Sequence, residues 1–304
     1  NHRAVGRLKG TIGGWGMVRA FEAIGDEALS PPVDQTGVAA FAYEELTWPH
    51  ATLQFGGRFD RASFEPEGGL LPRDFNNVSG SLGLLLRPSD NTTIAASLAR
   101  SARNPALEEL YFFGPHPGNF SFEIGNDQLE SEKALGFDLA FRWRLPRFSG
   151  EVSYFRNDIS DFIFRLPISE EEFHEQYEAA GDAEEEEGGH EHGEFPFIVF
   201  TGADALLQGV EAHADLELAQ GLNAEVSFDL VRAELKDSGD PLPRIPPARF
   251  SGGLRYQRNA FQSGASVTRA ARQDRVYGDE TETEGYTLLK LFAGVTPYQS
   301  GVRD

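Results

Sequence analysis

The chain has 304 residues, a formal net charge of -21 and no Cys. The missing Cys excludes disulfides and Cys-ligated zinc or iron–sulfur centres, and so strong an acidic balance disfavours nucleic acid and anionic membrane surfaces while favouring cations. No apolar run reaches the ~18 residues that a transmembrane helix needs.

Taken in order, alternation of apolar and polar residues predicts about twelve strands, over 3–23, 36–47, 50–60, 76–87, 92–101, 132–145, 148–165, 197–218, 222–236, 247–257, 261–272 and 285–296. Many exceed the ~5–6 residues usual in soluble proteins and meet the ~9–11 that a tilted strand needs to span a bilayer. In 132–145, Leu135, Phe137, Leu139, Phe141, Trp143 and Leu145 share one face, opposite Gly136, Asp138, Ala140, Arg142 and Arg144. In the hairpin 209–231, Val210, Ala212, Ala214, Leu216 and Leu218 alternate with Glu211, His213, Asp215 and Glu217. After Ala219-Gln220-Gly221, Val226, Phe228 and Leu230 continue the apolar face. Successive strand side chains point to opposite faces, so one face is apolar and the other polar. A soluble sheet with one wet face and a transmembrane barrel with a polar lumen both satisfy that pattern.

The connections discriminate between them. Long ones near 24–35, 61–75, 102–131, 166–196, 237–246 and 273–284 alternate with short ones such as Trp48-Pro49, Pro146-Arg147 and Asn259-Ala260. Outer-membrane barrels place short turns at one end and long loops at the other. Trp48, Trp143 and Tyr256 lie beside short turns, where an interfacial aromatic girdle sits. The fold expected is therefore all-β, a transmembrane antiparallel β-barrel.

The segment from Ser97 to Phe141 carries a family resemblance. Pro105-Ala-Leu-Glu-Glu-Leu-Tyr111, then Gly125-Asn-Asp-Gln-Leu-Glu-Ser-Glu-Lys133, resembles the barrel signature of TonB-dependent outer-membrane receptors. So do Gly209-Val-Glu211 in its strand and Leu242-Pro-Arg-Ile-Pro-Pro-Ala-Arg249. The resemblance covers about 1–296. It implies that 1–304 is an incomplete receptor barrel, about twelve strands of roughly 22, with the plug domain absent and no aromatic-ended closing strand. It also implies an outer-membrane location in a Gram-negative-type bacterium, outer-membrane lipid around the strands, and energy supplied by the TonB complex through the missing plug. A narrower resemblance, to the zinc-uptake receptors, rests on Ile24-Gly-Asp-Glu-Ala-Leu-Ser-Pro-Pro-Val33 and Phe113-Gly-Pro-His-Pro117.

Loop 166–196 is the candidate site. It holds His174, His190, Glu191, His192 and Glu194 among ten further Asp and Glu residues, and no Lys or Arg occurs between Arg165 and Arg232. Composition alone makes such a loop a solvated acidic cap. Yet Gly188-Gly189-His190-Glu191-His192 is a His-x-His in an acidic field, and imidazole with carboxylate suits zinc and other divalent transition metals. His116, between two prolines in the neighbouring long loop, is positioned to complete such a site. Glu211, His213, Asp215 and Glu217 are lumen-lining candidates for a cation path just below the loop, and Arg142, Arg144, Arg249 and Arg255 are expected to pair with carboxylates there.

No catalytic constellation stands out, and no enzymatic activity is expected. The reading is a TonB-dependent receptor importing a metal ion or metal chelate, zinc foremost, as cargo, with no permanently bound cofactor. The rivals are a siderophore or vitamin receptor, a passive porin-like channel and a soluble cation-binding β protein.

Overall fold

The structure is a computed structural model that describes residues 1–25, 28–181, 195–278 and 280–296, with the side chains of 178–181 omitted. Twelve long strands run in sequence order through one sheet. They are β1 (Leu8–Phe21), β2 (Val33–Thr47), β3 (Ala51–Pro66), β4 (Arg73–Ser89), β5 (Thr92–Arg103), β8 (Glu132–Arg144), β9 (Phe148–Ile168), β10 (Phe197–Ala219), β11 (Leu222–Leu235), β12 (Arg249–Arg258), β13 (Phe261–Ala270) and β14 (Tyr286–Val295). Two short strands, β6 (Phe113–His116) and β7 (Ser121–Ile124), form a hairpin inside the loop between β5 and β8. The helices are α1 (Leu107–Tyr111) and α2 (Glu170–Gly181), with one 3-10 turn at Pro117–Asn119.

The long strands correspond one to one with the expected ranges. The main differences lie at the loop ends, where β3 runs on to Pro66 and β4 begins at Arg73 because the two keep pairing up to Phe64 and Arg73. Every neighbouring pair of long strands is antiparallel. Among the described residues no pairing joins β1 to β14, so those residues form an open sheet. The short turns are made by residues that tolerate left-handed backbone: Gly221 at φ 80° between β10 and β11, and Asn259 at φ 51° between β12 and β13.

Residues directly opposite one another in an antiparallel ladder share a face, so register carries one face across the sheet. Leu53, Leu84, Ala96, Leu139, Tyr154, Val210 and Leu230 form one such row. On the other face a row passes through Thr93, Arg142, Glu151, His213, Ser227, Ser251 and Thr268. The apolar face leaves Leu135, Phe137, Leu139, Phe141, Leu145, Val226 and Phe228 exposed. A contiguous apolar surface of that extent is untenable in water and is what lipid covers. Trp143, Phe148, Tyr256 and Phe261 lie on this same face beside the short turns.

Near the long loops the polarity of the two faces inverts. There the polar face becomes the buried one: Val33, Phe64 and Phe75 pack with Leu107, Leu110 and Tyr111 of α1, and Ala205, Ala233 and Leu235 pack with Phe164 and Leu242. The opposite face carries Arg61, Asp74, Asp158 and Glu234 at this level. Beyond the bilayer the outward face meets water and must be polar, while the inward face is roofed by loops and can be apolar. The inversion marks where the membrane ends.

Candidate functional site

The mouth is built by the two longest loops. In the first, Pro105 to Tyr111 becomes α1, whose Leu107, Leu110 and Tyr111 are all buried. Glu109 Oε2 accepts the Ala106 N–H at 2.7 Å and a hydrogen bond from Arg103 at 2.7 Å, tying the helix start to the top of β5. The Tyr111 hydroxyl donates to the Leu71 carbonyl at 3.1 Å, and burial pushes its pKa up to about 12. Gly125 and Asn126 return the chain beneath this helix. A Cβ on Gly125 would lie 2.6 Å from the Tyr111 nitrogen, so the approach admits only glycine, and Asn126 Nδ2 donates to the Phe200 carbonyl at 3.2 Å. The signature residues thus form the lid of the mouth.

The loop then crosses to β10, where β7 pairs in parallel with Phe197–Val199. The β6–β7 hairpin holds His116 and a buried carboxylate, Glu123, which is only 3% exposed. Glu123 Oε1 accepts from Arg165 at 2.9 Å, Asn119 at 2.7 Å and the Ser121 hydroxyl at 3.2 Å, while Oε2 lies 3.2 Å from His116 Nδ1. Burial by itself raises this carboxyl's pKa. The hydrogen bonds from Asn119 and His116 and the charges of Arg165 and His116 outweigh it, and the net pKa is lowered. His116 Nδ1 also lies 3.0 Å from the Asn119 amide nitrogen; in the tautomer that donates Nδ1–H to Glu123, the Nε2 lone pair is available, the arrangement in which carboxylates orient metal-binding imidazoles.

The second loop leaves β9 through α2. Ser169 and Glu172 cap it reciprocally: Glu172 Oε2 accepts the Ser169 N–H at 2.9 Å and Ser169 Oγ accepts the Glu172 N–H at 3.2 Å. Phe173 stacks on Phe197 with ring centroids 4.0 Å apart and packs edge-on to Phe122 of the hairpin. That aromatic contact seats α2 against the His116 hairpin. His174, on α2, has Nε2 3.7 Å from Glu170. His190, Glu191, His192 and Glu194 lie outside the described residues.

The two segments of the narrower resemblance meet here. The Phe113 N–H donates to the Leu29 carbonyl at 2.8 Å, and Leu29 packs so closely on Gly114 (φ 148°) that a Cβ there would lie 2.9 Å from its side chain. Sequence reasoning missed Glu123, Arg165 and Phe173. Their one signal was that Arg165 is the last base before a stretch free of Lys and Arg.

Glu211, His213, Asp215 and Glu217 share the inward face, as expected, but they are not just below the acidic loop. From Phe197 the chain runs on the order of 40 Å at ~3.3 Å per residue before reaching them, and the apolar cluster around Ala205 intervenes. They line the turn half of the wall, where His213 borders three adjoining hollows. Of the four inward arginines, Arg142 pairs with Glu151 at 2.6 Å and Arg249 with Asp229 at 3.0 Å; no ion pair forms at Arg144 or Arg255 among the described residues. Among those residues no group of three or more His, Asp or Glu side chains is arranged to hold a metal ion.

An open sheet of twelve long antiparallel strands, lipid-facing on one side and roofed by loops at one end, defines a membrane β-barrel of the receptor type. A model of the TonB dependent receptor-like β-barrel matches residues 7–301, and the chain belongs to that family. Its members are outer-membrane transport receptors, not enzymes. Heme/hemopexin utilization protein C of Haemophilus influenzae is 28% identical over 283 residues, covering 86% of this chain and 38% of that protein. In fold the chain is similar to the copper transporter OprC (TM-score 0.72, 20% identity, 88% of this chain and 40% of that one). It is also similar to the Serratia marcescens hemophore receptor HasR, solved with its hemophore HasA and heme (TM-score 0.65, 15% identity, 91% of this chain and 48% of that one). The chain thus spans about two fifths of the curated relative's length.

Proposed function

We propose that this chain is the barrel portion of a TonB-dependent receptor that imports a metal cargo, captured at the mouth by imidazoles in an acidic field. A divalent transition metal, zinc foremost, is the cargo we favour. The observation that carries this reading is His116, whose Nδ1 lies against the buried Glu123 carboxylate, leaving Nε2 as a ligand atom. The hairpin bearing it is packed on α2, which leads into the loop of His190 and His192. Neutral imidazole and carboxylate together are the ligand set zinc uses. Energy transfer from the TonB complex belongs to the same proposal, as does the surrounding outer-membrane lipid.

A second reading is heme, or a heme-bearing protein, as the cargo. The name of the Haemophilus influenzae relative favours it, and an imidazole with a free Nε2 is also what heme iron takes as an axial ligand. Calorimetry of the full-length receptor with zinc and with calcium, alongside heme titration followed by absorbance, separates the two. Zinc binding that disappears on replacing His116, His174, His190 and His192 by Ala supports the first reading. Heme binding that depends on His116 alone, with no measurable zinc binding, replaces it by the second.

A further inference from the structure

Most of the wall is one continuous sheet, but β9 and β10 outgrow it. β8 pairs with β9 only as far as Ser160, and β11 pairs with β10 only as far as Ala205. The Lys236 N–H adds a last bond to the Asp204 carbonyl at 2.8 Å. At that level the ladder between β9 and β10 slips: Ala205 faces Ile159 and Ala203 faces Phe162, leaving Ser160 and Asp161 opposite Asp204. Asp161 takes a left-handed backbone, φ 56°, which Asp tolerates better than most residues. Its N–H finds Asp204 Oδ1 at 3.3 Å. A bulge bends the strand that carries it. Here it coincides with the loss of both neighbouring strands, so 162–168 and 197–203 continue above the wall as a ribbon.

That ribbon carries a unit with its own core. β7 pairs in parallel with β10 at Phe197–Val199, β6 pairs with β7, and α2 leaves the tip of β9. Phe122, Ile124, Phe173 and Val199 form a buried cluster here, separate from those around α1 and Leu242. The Arg165–Glu123 contact lies within the same unit. At the base of the ribbon, Ile163 and Phe200 join the cluster of α1, and Phe164 joins that of Leu242. Apolar packing is non-directional, so one body can slide on another across such surfaces.

Directional ties pass from this head to the lid below it. β8 begins at Glu132, whose Oε1 accepts the Ile163 N–H at 2.7 Å, just past the point where β8 stops serving as ladder partner. Its Oε2 accepts from Arg103 Nε at 2.7 Å, and Arg103 donates in turn to Glu109, the cap of α1. The Glu132 side chain is only 15% exposed, and such charge-assisted bonds are roughly twice as strong as neutral ones. The bonds from Asn126 to the Phe200 carbonyl and from Phe113 to the Leu29 carbonyl are neutral. Glu132 thus makes the strongest link between head and lid.

We propose that β6, β7, α2 and the ribbon of β9 and β10 form one rigid head that swings about the bulge at Asp161, with Glu132 as its latch. His116 and Glu123 both lie in the head, so a swing moves them across the mouth without changing their contact, whatever the cargo. From Asp161 to Ile168 the strand rises about 23 Å at ~3.3 Å per residue, and a rotation of ~15° moves its tip by roughly 6 Å. The 304 residues hold no Cys, so paired spin labels can be placed in the full-length receptor and distances read by double electron–electron resonance. Glu171→Cys with Asn76→Cys spans head and wall, Glu171→Cys with Gly118→Cys lies within the head, and Asn76→Cys with Arg232→Cys lies within the wall. Glu132→Ala should shift or broaden the head-to-wall distance by about 6 Å and leave the other two narrow. Asp161→Gly, which keeps the left-handed backbone but widens its range, should do the same with Glu132 in place. Glu130→Ala, at a neighbouring exposed acid, should change nothing. Folding is checked by heat-modifiable migration on gels. A head-to-wall distance as narrow in both folded variants as in the wild type overturns the proposal. Equal broadening within the head overturns it too, since the head would then be unravelling rather than swinging.

Discussion

Arg165 Nη2 donates to Glu123 Oε1 at 2.9 Å, joining the end of a barrel strand to a hairpin 42 residues earlier in the chain. The contact holds the β6–β7 hairpin over the mouth, and with it His116. The carboxylate is almost wholly buried whereas Arg165 keeps 29% of its side chain exposed. The two ends of the pair therefore respond differently to substitution.

Replacing Glu123 by Ala removes the shared acceptor of Arg165, Asn119, Ser121 and His116. Leaving such groups unsatisfied costs about 1–3 kcal/mol, and the partial exposure of Arg165 keeps the loss below that of a fully buried pair. The hairpin should open locally while the barrel stays intact. Hydrogen exchange by mass spectrometry should show faster exchange for 113–124 and unchanged rates for β8 and β9. Uniform loosening of both regions would show that Glu123 supports the whole barrel instead.

The same carboxyl makes the hairpin sensitive to acid. Its folded pKa lies below the ordinary value of 4.5, so its contribution is complete above that value and disappears as pH falls through the lowered one. Exchange in 113–124, taken relative to the intrinsic amide rate at each pH, should be flat from neutral pH down to about 5 and accelerate as the pH falls through the lowered carboxyl pKa. Glu123→Gln should remove that acceleration. An identical acid response in the variant would assign it to another group.

Leu139 lies mid-strand on the outward face and Asp138 on the inward one, where it accepts a hydrogen bond from Ser97 at 2.9 Å. Leu139→Arg should cost roughly 2–4 kcal/mol at the bilayer midplane and reduce the amount of folded receptor recovered from membranes. Asp138→Arg should insert normally. The reverse result would exchange the two faces.

Zinc capture by imidazole requires the neutral ring, whose ordinary pKa is ~6.5. Zinc should bind the full-length receptor at pH about 7.5 and be largely released by about 5.5, with calcium, held by carboxylates, less affected. Replacing His174, His190 and His192 by Ala removes nitrogen donors and leaves the negative field, so zinc affinity should fall strongly and calcium affinity little. Unchanged zinc affinity in calorimetry would reduce the loop to a solvated acidic cap.

Strand positions and faces were legible in the sequence because a strand writes its environment in a local, two-residue period. Leu135 to Leu145 and Val210 to Leu230 announce which side meets lipid without reference to any partner. Alternating loop lengths likewise revealed which end is the mouth. The short elements at the mouth were not legible. β6, β7 and α1 have too few residues for a period to emerge, and they exist because Leu107 and Phe122 find partners on β2, β4 and β10. Glu123 reads as one acid among 48 Asp and Glu residues until the chain returns Arg165 to it. Local periodicity determines what each strand is, whereas contacts between residues far apart in the chain decide what the strands hold in common.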